Sequence, residues 1–417
     1  MGRTDRLVRA ATEKRFFKYI SLKIRQRIDG VIAKFTRWLL SKKTPIQNNK
    51  VVVMHYDNKY QCNPAYICDE ILRQELPWEI VYVVGKKEVE NIPPVCPEKI
   101  RVVARNSFDH FKEMASAKIW LDNAMCCTWE YVPKKKGQFY INTWHGSMGL
   151  KRIDSEKIVI EKWKRASKLA SRDVDFMISN SAFETDVYRT TYWKDPESTK
   201  ILELGHPRND ILFCDESEKK KLKRKVCEFF DVPEDTDFIL YAPTFRDSKS
   251  LKVYDINYDN LIKGAQKRFG GKWMVINRYH FKVAAALSKV KEISENPHIL
   301  NGNDYADIQE LMAVCKIGIT DYSSWICDYI LTDGYGFIYA NDLDDYNSER
   351  GFYYPLESTP FPIATDNDGM LENLVNFDEN LYSEKKVQFL KDRGCKETGN
   401  ASEKVVDLMK QIIDGKI

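Results

Sequence analysis

Two hydrophobic patterns divide the chain. In the first forty residues, apolar side chains recur at intervals of three and four positions, the repeat of an amphipathic helix. Beyond residue 50, apolar residues form short uninterrupted runs that are separated by longer mixed segments. Such runs are typical of strands buried on both faces of a parallel sheet, and the mixed segments are typical of the helices that cover it. The pattern therefore predicts a helical N-terminal arm and an α/β body.

The apolar runs fall into two series, which predict two Rossmann-like domains. The predicted strands are Val51–Met54, Ile80–Val84, Ile119–Leu121, Phe139–Asn142 and Phe176–Ser179, followed by Phe238–Tyr241, Trp273–Ile276, Ile317–Thr320 and Phe337–Tyr339. A length of 417 residues also exceeds the usual size of one domain. We expect one domain over residues 50–205 and another over 206–390, with a C-terminal helix over 391–417. The final helical stretch, roughly Ser383–Ile413 with a break near Gly394, is expected to fold back across the first domain.

The arm, residues 1–45, is strongly basic. Residues 1–50 hold 14 Lys or Arg against 3 Asp or Glu, whereas the whole chain has a net charge of only +4. The apolar stripe of the arm consists of Phe17, Ile20, Ile24, Ile28, Val31, Phe35 and Leu39. A basic amphipathic helix of this kind lies on an anionic lipid surface, or it packs its stripe against the enzyme body. The sequence leaves both interpretations open.

Cysteine and hydropathy patterns bear on the compartment. Ten cysteines are scattered without a C-x-x-C pair or the spacing of a zinc site, which favours a reducing environment. The N-terminus lacks the uninterrupted apolar core of a signal peptide, and no run is long enough to span a bilayer. We therefore expect the chain in the cytosol or on the inner face of a membrane.

Polar strings follow several of the predicted strands, where ligands bind in open α/β sheets. The string TWHGS, after Phe139–Asn142, contains His145, whose ordinary pKa near 6.5 suits a general base. A histidine at a strand end is, however, more often a structural hydrogen-bonding group. The string YAPTFRD, after Phe238–Tyr241, contains Arg246, which would clamp a phosphate or form a surface salt bridge with Asp247.

Two further strings belong to the second series. NRYH closes the strand Trp273–Ile276 and contributes His280. ITDYSS presents Asp321, Ser323 and Ser324 at a strand-to-helix turn, where such groups bind an anion or cap the helix. GHPRND, starting at Gly205, is predicted to be an inter-domain turn.

Five strings, WHG, GxPRND, YAPTFRD, TDYSS and RGFY, occur in this order in one chain. In that order they resemble the CDP-glycerol glycerophosphotransferase family, the primases and polymerases of teichoic acid synthesis, over roughly residues 50–390. The resemblance implies a GT-B architecture with the active site between its domains, no cofactor and no metal. It also implies a peripheral location on the cytoplasmic face of the bacterial plasma membrane. After WHG this chain reads SMGLK, where TPLK is commoner in the family, so the acceptor side departs from the pattern.

The resemblance also implies roles for particular residues. His145 would be the base, with Arg246 and His280 also catalytic, and the donor phosphates would be bound by Arg246, His280, Asp321, Ser323 and Ser324. The implied reaction transfers glycerol phosphate, or a related polyol phosphate, from CDP-glycerol to a lipid-linked teichoic acid or capsule-type precursor, with CMP as leaving group. Expected partners are the CDP-polyol donor, that acceptor and the anionic inner membrane surface, while homo-oligomers are left open.

Three alternatives remain at the level of sequence. D-x-D triplets at 173–175, 342–344 and 366–368 keep a metal-dependent reaction open. A nucleotide-sugar glycosyltransferase would use the same fold. A nucleic-acid binder is disfavoured, because the body is mildly acidic and the basic stripe offers few exposed aromatic residues for stacking on bases.

Overall fold

The computed structural model describes most of the chain. The described residues are 31–90, 96–129, 132–150, 152, 170–190, 199–245, 252–280, 283–284, 295–343, 346 and 351–417. Arg246 and residues 1–30, which include most of the predicted stripe, lie outside them.

The first sheet has seven parallel strands. They are β1 (Gln47–Met54), β2 (Glu79–Val84), β3 (Arg101–Ala104), β4 (Ala117–Asp122), β5 (Phe139–Asn142), β6 (Phe176–Ser179) and β7 (Lys200–Glu203). Their spatial order is β3-β2-β1-β4-β5-β6-β7. The order reverses between β1 and β4, which creates a crevice at the carboxyl ends of these strands.

The second sheet repeats this arrangement with six parallel strands. They are β8 (Thr236–Tyr241), β9 (Lys272–Asn277), β10 (Ile299–Asn301), β11 (Ile317–Thr320), β12 (Tyr335–Tyr339) and β13 (Ile363–Ala364). Their spatial order is β10-β9-β8-β11-β12-β13, with the reversal between β8 and β11. Two doubly wound parallel sheets confirm the predicted fold class, whereas the predicted domain boundaries stay predictions.

Helices cover both sheets. They are α1 (31–43), α2 (Cys62–Arg73), α3 (Phe108–Ser116), α4 (Cys126–Trp129), α5 (Ala182–Thr190), α6 (Glu216–Phe230), α7 (Tyr258–Phe269), α8 (Ile308–Val314), α9 (Trp325–Tyr329), α10 (Asn367–Val375), α11 (Glu379–Asp392) and α12 (Ala401–Ile413). Short 3-10 helices occupy Glu88–Glu90, Pro207–Phe213, Lys252–Tyr254 and Leu356–Ser358. Among the described residues, no helix has the length and apolar character that crossing a bilayer requires. All ten cysteines are free thiols.

The last helix returns to the first sheet. Val405, Met409 and Ile412 of α12 are fully buried in the same cluster as Val51 and Val53 of β1. The preceding helix α11 instead packs on the second sheet through Phe389. The chain therefore crosses from the second sheet to the first between α11 and α12. The predicted return to the first domain holds for α12 but not for the stretch from Ser383 to Asp392, which belongs to α11.

Candidate active site

A cleft of about 510 Å³ opens where the carboxyl ends of the two sheets face each other. The first sheet and its connections contribute His55, Tyr56, Gln61, Cys62 and His145 to its lining. The second half of the chain contributes Arg208, Ala242, Pro243, Thr244, Phe245, Arg278, Tyr279, His280, Asp307, Ile308, Gln309, Ser323, Ser324, Trp325 and Asp328. Most of these residues directly follow β1, β8, β9 or β11, the strands at and beside the two reversals of strand order.

The His145 ring is held by one backbone contact and two aromatic neighbours. Its Nδ1 lies 2.6 Å from the carbonyl oxygen of Asn123, which only accepts hydrogen bonds, so Nδ1 carries the ring proton and donates it. In the neutral ring, Nε2 therefore keeps the lone pair that accepts a proton. The ring lies between those of Tyr56 and Trp144, with centroids 4.6 Å and 4.7 Å away. These contacts hold the imidazole in one orientation at the cleft wall.

The backbone before His145 is strained. Trp144 has a φ of 49°, in the left-handed region that bulky residues rarely adopt, at a cost of about 1–3 kcal/mol. The side-chain oxygen of Asn142 accepts the Trp144 N–H at 2.8 Å. The side-chain amide of Asn63 donates to the carbonyls of Thr143 (3.3 Å) and Trp144 (3.2 Å). These bonds maintain a conformation that the local sequence alone does not favour.

The segment after His145 crosses to the second sheet. Met148 and Leu150 are fully buried in the hydrophobic core of that sheet. The Tyr354 hydroxyl donates to the Met148 carbonyl (2.5 Å), and the Tyr353 N–H donates to the Leu150 carbonyl (2.9 Å). The SMGL segment, which departs from the commoner family string, therefore ties the two halves of the molecule together beside His145.

Arg208, in the string that we predict as an inter-domain turn, forms a buried ion pair. Its guanidinium donates to Asp328 through Nε (3.0 Å) and Nη2 (2.8 Å), and both side chains are over 90% buried. Burial opposes the charge on Arg208, but Asp328 and Cys62 together outweigh it and raise the pKa of the guanidinium. Nη2 also donates to the carbonyl of Gly146 at 2.5 Å. The turn therefore binds the backbone of the residue that follows His145.

A second buried charged group lies behind this turn. His206 Nε2 is 3.0 Å from Glu184, and the His206 N–H donates to Glu397 at 3.1 Å. Burial raises the pKa of Glu397 to about 7, although His206 and Asn209 act in the opposite direction. His206 is fully buried and is not part of the cleft lining. Its contacts are those of a structural residue.

The structure brings four predicted site residues together. All four line the cleft: His145 follows a strand of the first sheet, and His280, Ser323 and Ser324 follow strands of the second. The His280 ring lies 5.1 Å from that of Phe245, the residue before Arg246. Ser324, at the start of the five-residue helix α9, makes no side-chain capping hydrogen bond. The catalytic and donor-binding roles of these residues stay predictions.

Asp321 stands apart from these four. Its carboxylate is buried and accepts the N–H of Thr244 at 2.8 Å and 3.0 Å. It therefore braces the loop after β8 and does not belong to the cleft lining. The predicted role of Asp321 in donor binding stays a prediction.

Several lining residues were not predicted. Burial, together with the positive charges that His145 and Lys59 carry when protonated, lowers the pKa of His55 to about 3, so His55 is neutral. The Arg278 guanidinium donates to the carbonyls of Gly302 and Tyr305, both at 2.6 Å. The signal for Arg278 is its place in the NRYH string, whereas His55 has only its position after β1.

At least one aspartate of each D-x-D triplet has other contacts. Asp175 binds Lys134 at 2.6 Å and accepts the Tyr140 N–H at 2.7 Å. Asp366 caps α10, and Asp342 accepts the Tyr322 hydroxyl at 2.9 Å. Among the described residues, no three His, Cys, Asp or Glu side chains form a group that could hold a metal ion. Metal independence stays a prediction.

Two doubly wound sheets that share one cleft at their carboxyl ends define the GT-B-like class of fold. The family model for CDP-Glycerol:Poly(glycerophosphate) glycerophosphotransferase matches residues 36–411. The chain belongs to this family, which confirms the resemblance drawn from the five strings.

Relatives and solved structures agree with this membership. The teichoic acid poly(glycerol phosphate) polymerase of Staphylococcus epidermidis is 30% identical over 389 residues, which are 89% of this chain and 52% of the relative. The teichoic acid glycerol-phosphate transferase of Staphylococcus aureus is 27% identical, over 89% of this chain and 95% of the relative. The wall teichoic acid polymerase TagF superposes with a TM-score of 0.79 and 28% identity, over 95% of this chain and 98% of that one. The chain thus spans about half the length of the S. epidermidis polymerase.

Proposed function

We propose that the chain transfers glycerol phosphate, or a related polyol phosphate, from CDP-glycerol to a hydroxyl of a lipid-linked teichoic acid or capsule-type precursor and releases CMP. The observation that carries this proposal is the convergence of WHG, NRYH and TDYSS on one cleft, which His145, His280, Ser323 and Ser324 line together. A histidine-to-asparagine variant of TagF has been soaked with CDPG in a crystal, which supports the same donor here.

The reaction begins at His145. Nε2 takes the proton of the acceptor hydroxyl while its oxygen attacks the phosphorus that bears the glycerol. The new O–P bond forms as the bond to the CMP oxygen breaks, and CMP leaves with the electron pair. The proton remains on His145 until solvent removes it. General-base catalysis of this kind contributes about 10²–10⁴-fold in rate.

The cleft residues that follow strands of the second sheet stabilise the phosphates. His280, Ser323 and Ser324 offer ring N–H and hydroxyl donors, and Arg246 is proposed to join them. Arg278 adds a cation to the same set, and its bonds to backbone carbonyls fix its position. Phosphoryl transfer needs mainly positioning and charge stabilisation, which these groups supply without a metal in the proposed mechanism.

Removal of the proposed phosphate ligands is expected to weaken donor binding. His280→Ala and Arg246→Ala should each raise the dissociation constant of CDP-glycerol about tenfold, the loss of one hydrogen bond to a charged group. Isothermal titration calorimetry measures this, with His298→Ala, an exposed histidine outside the cleft, as the matched control. Unchanged affinity in both variants would place the diphosphate elsewhere. Competition by CDP but not UDP distinguishes this donor from a nucleotide sugar.

We also propose that the N-terminal arm lies on the anionic inner face of the membrane. In α1 the apolar side chains of Val31, Ile32, Phe35 and Trp38 are 45–67% exposed. On the other face of α1, Arg37 lies 4.0 Å from the centre of the Phe111 ring in α3. This contact attaches α1 to the first sheet and its helices. An exposed apolar face in a basic segment supports an interfacial helix over a helix that packs its stripe on the body.

Deletion of residues 1–44 is therefore expected to abolish sedimentation with anionic vesicles and to spare turnover on a short soluble acceptor. Each Lys or Arg near such a surface contributes about 1 kcal/mol, so vesicle binding by the full chain should also fall steeply with salt. Phe35→Ser with Trp38→Ser in the full chain removes apolar area at exposed positions and should weaken binding without unfolding. If the truncated protein still sediments, or if it unfolds, the arm is part of the body.

A further inference from the structure

The residues on either side of His145 are held by groups that come from distant parts of the chain. Asn63, at the start of α2, is fully buried and donates to the two carbonyls that precede His145. Arg208 donates to the carbonyl that follows His145. The His145 turn, residues 143–146, is therefore fixed through its backbone from both ends.

These two residues are also linked to each other. The side-chain oxygen of Asn63 accepts the backbone N–H of Arg208 at 3.1 Å. The Arg208 guanidinium continues to Asp328, in the helix that starts directly after Ser324. One continuous set of bonds thus runs from the turn that carries the proposed base to the element that carries the proposed donor-binding serines.

Such bonds matter here because the turn is strained. The left-handed Trp144 would relax if its carbonyl lost its partner, and relaxation would rotate the peptide that leads into His145. A displacement of about 1 Å at a reacting group is enough to cost about a hundredfold in rate. Loss of the Asn63 side chain would therefore displace His145 and lower the rate, although Asn63 is absent from the cleft lining.

We propose that Asn63 and Arg208 are positioning residues that keep Nε2 of His145 directed at the acceptor hydroxyl. The proposal rests on the proposed function, because it assigns their effect to His145 alone. It makes a specific claim: each residue matters for turnover only while His145 is present.

A double-mutant cycle tests that claim. Asn63→Ala is made in the wild-type chain and in His145→Ala, and CMP release from CDP-glycerol is measured in all four proteins. Gln138→Ala is the matched control, because the buried Gln138 amide also donates to two backbone carbonyls, those of Met114 (2.9 Å) and Ala117 (2.6 Å), before β5 and outside the cleft. Arg208→Lys is a second variant in case Asn63→Ala does not fold. It keeps the positive charge beside Asp328 but loses the guanidinium, which donates to Asp328 and to the Gly146 carbonyl at once.

Asn63→Ala is expected to lower turnover by more than about tenfold in the wild-type chain and by less than about twofold in His145→Ala. CDP-glycerol affinity should stay within about twofold, and the thermal midpoint should fall no further than in Gln138→Ala. Equal fold losses in both backgrounds would overturn the positioning role while leaving the base assignment intact. If His145→Ala by itself is as active as wild type, the base assignment fails, and the positioning role fails with it.

Discussion

Replacement of His145 by alanine is expected to lower turnover by about a hundredfold or more and to leave CDP-glycerol affinity nearly unchanged. The expectation follows from the bond between Nδ1 and the Asn123 carbonyl, which leaves Nε2 as the proton acceptor. Because His145 follows a strand of the first sheet and the proposed phosphate ligands follow strands of the second, its loss removes the proposed base and spares those ligands. Steady-state CMP release gives turnover, and calorimetry gives affinity.

The control for this variant is His298→Ala, which removes an exposed histidine outside the cleft and should leave turnover at the wild-type value. If His145→Ala retains more than about a tenth of wild-type turnover, the base assignment is contradicted. A loss of less than about tenfold is smaller than the effect of a general base. A large loss of CDP-glycerol affinity would instead make His145 part of the donor site.

The largest expected effect on stability comes from Asp328→Ala, which should lower the free energy of unfolding by about 3–5 kcal/mol. The substitution leaves the Arg208 guanidinium buried without its carboxylate partner. It also removes one of the two acceptors of the Asn209 side-chain amide, 3.1 Å away, and leaves Glu397 as the other. Urea unfolding followed by circular dichroism measures the change.

The matched control is Asp333→Ala, five residues along the chain. Asp333 is 3.5 Å from Lys219, but its side chain is 88% exposed, so the loss should be below about 1 kcal/mol. Replacement of both partners, as Arg208→Met with Asp328→Leu, should recover much of the stability lost in Asp328→Ala. An Asp328→Ala protein within about 1 kcal/mol of wild type would show that Arg208 is hydrated or paired elsewhere.

The central strands of both sheets could be predicted from sequence, and the edge strands could not. All nine predicted strands occur, whereas β3, β7, β10 and β13 were missed. These four are the outermost strands of the two sheets. A central strand is buried on both faces and must be apolar throughout, while an edge strand is short and partly exposed, as in the sequence KILE of β7. The missing strands therefore carry too few apolar residues to form a recognisable run.

The site was predictable where it follows a central strand. His145, His280, Ser323 and Ser324 come directly after β5, β9 and β11, so the rule that ligands bind beyond the carboxyl ends of strands found them. Asn63 and the ion pair of Arg208 with Asp328 depend on contacts between segments over a hundred residues apart, which no local pattern encodes. Asp321, also at a strand end, is buried and holds a neighbouring loop, and its role in donor binding stays a prediction.

The most direct test of the account is CMP release from CDP-glycerol by the full chain, with a lipid-linked acceptor and with CDP-ribitol assayed in parallel. The account predicts one CMP for each glycerol phosphate added to the acceptor, at a rate that EDTA does not change. It also predicts that the nucleotide sugar UDP-glucose does not replace the donor. Loss of activity in EDTA that Mg²⁺ restores would contradict metal-independent transfer. Failure to release CMP with any lipid-linked acceptor, or transfer from UDP-glucose instead, would contradict the proposed reaction itself.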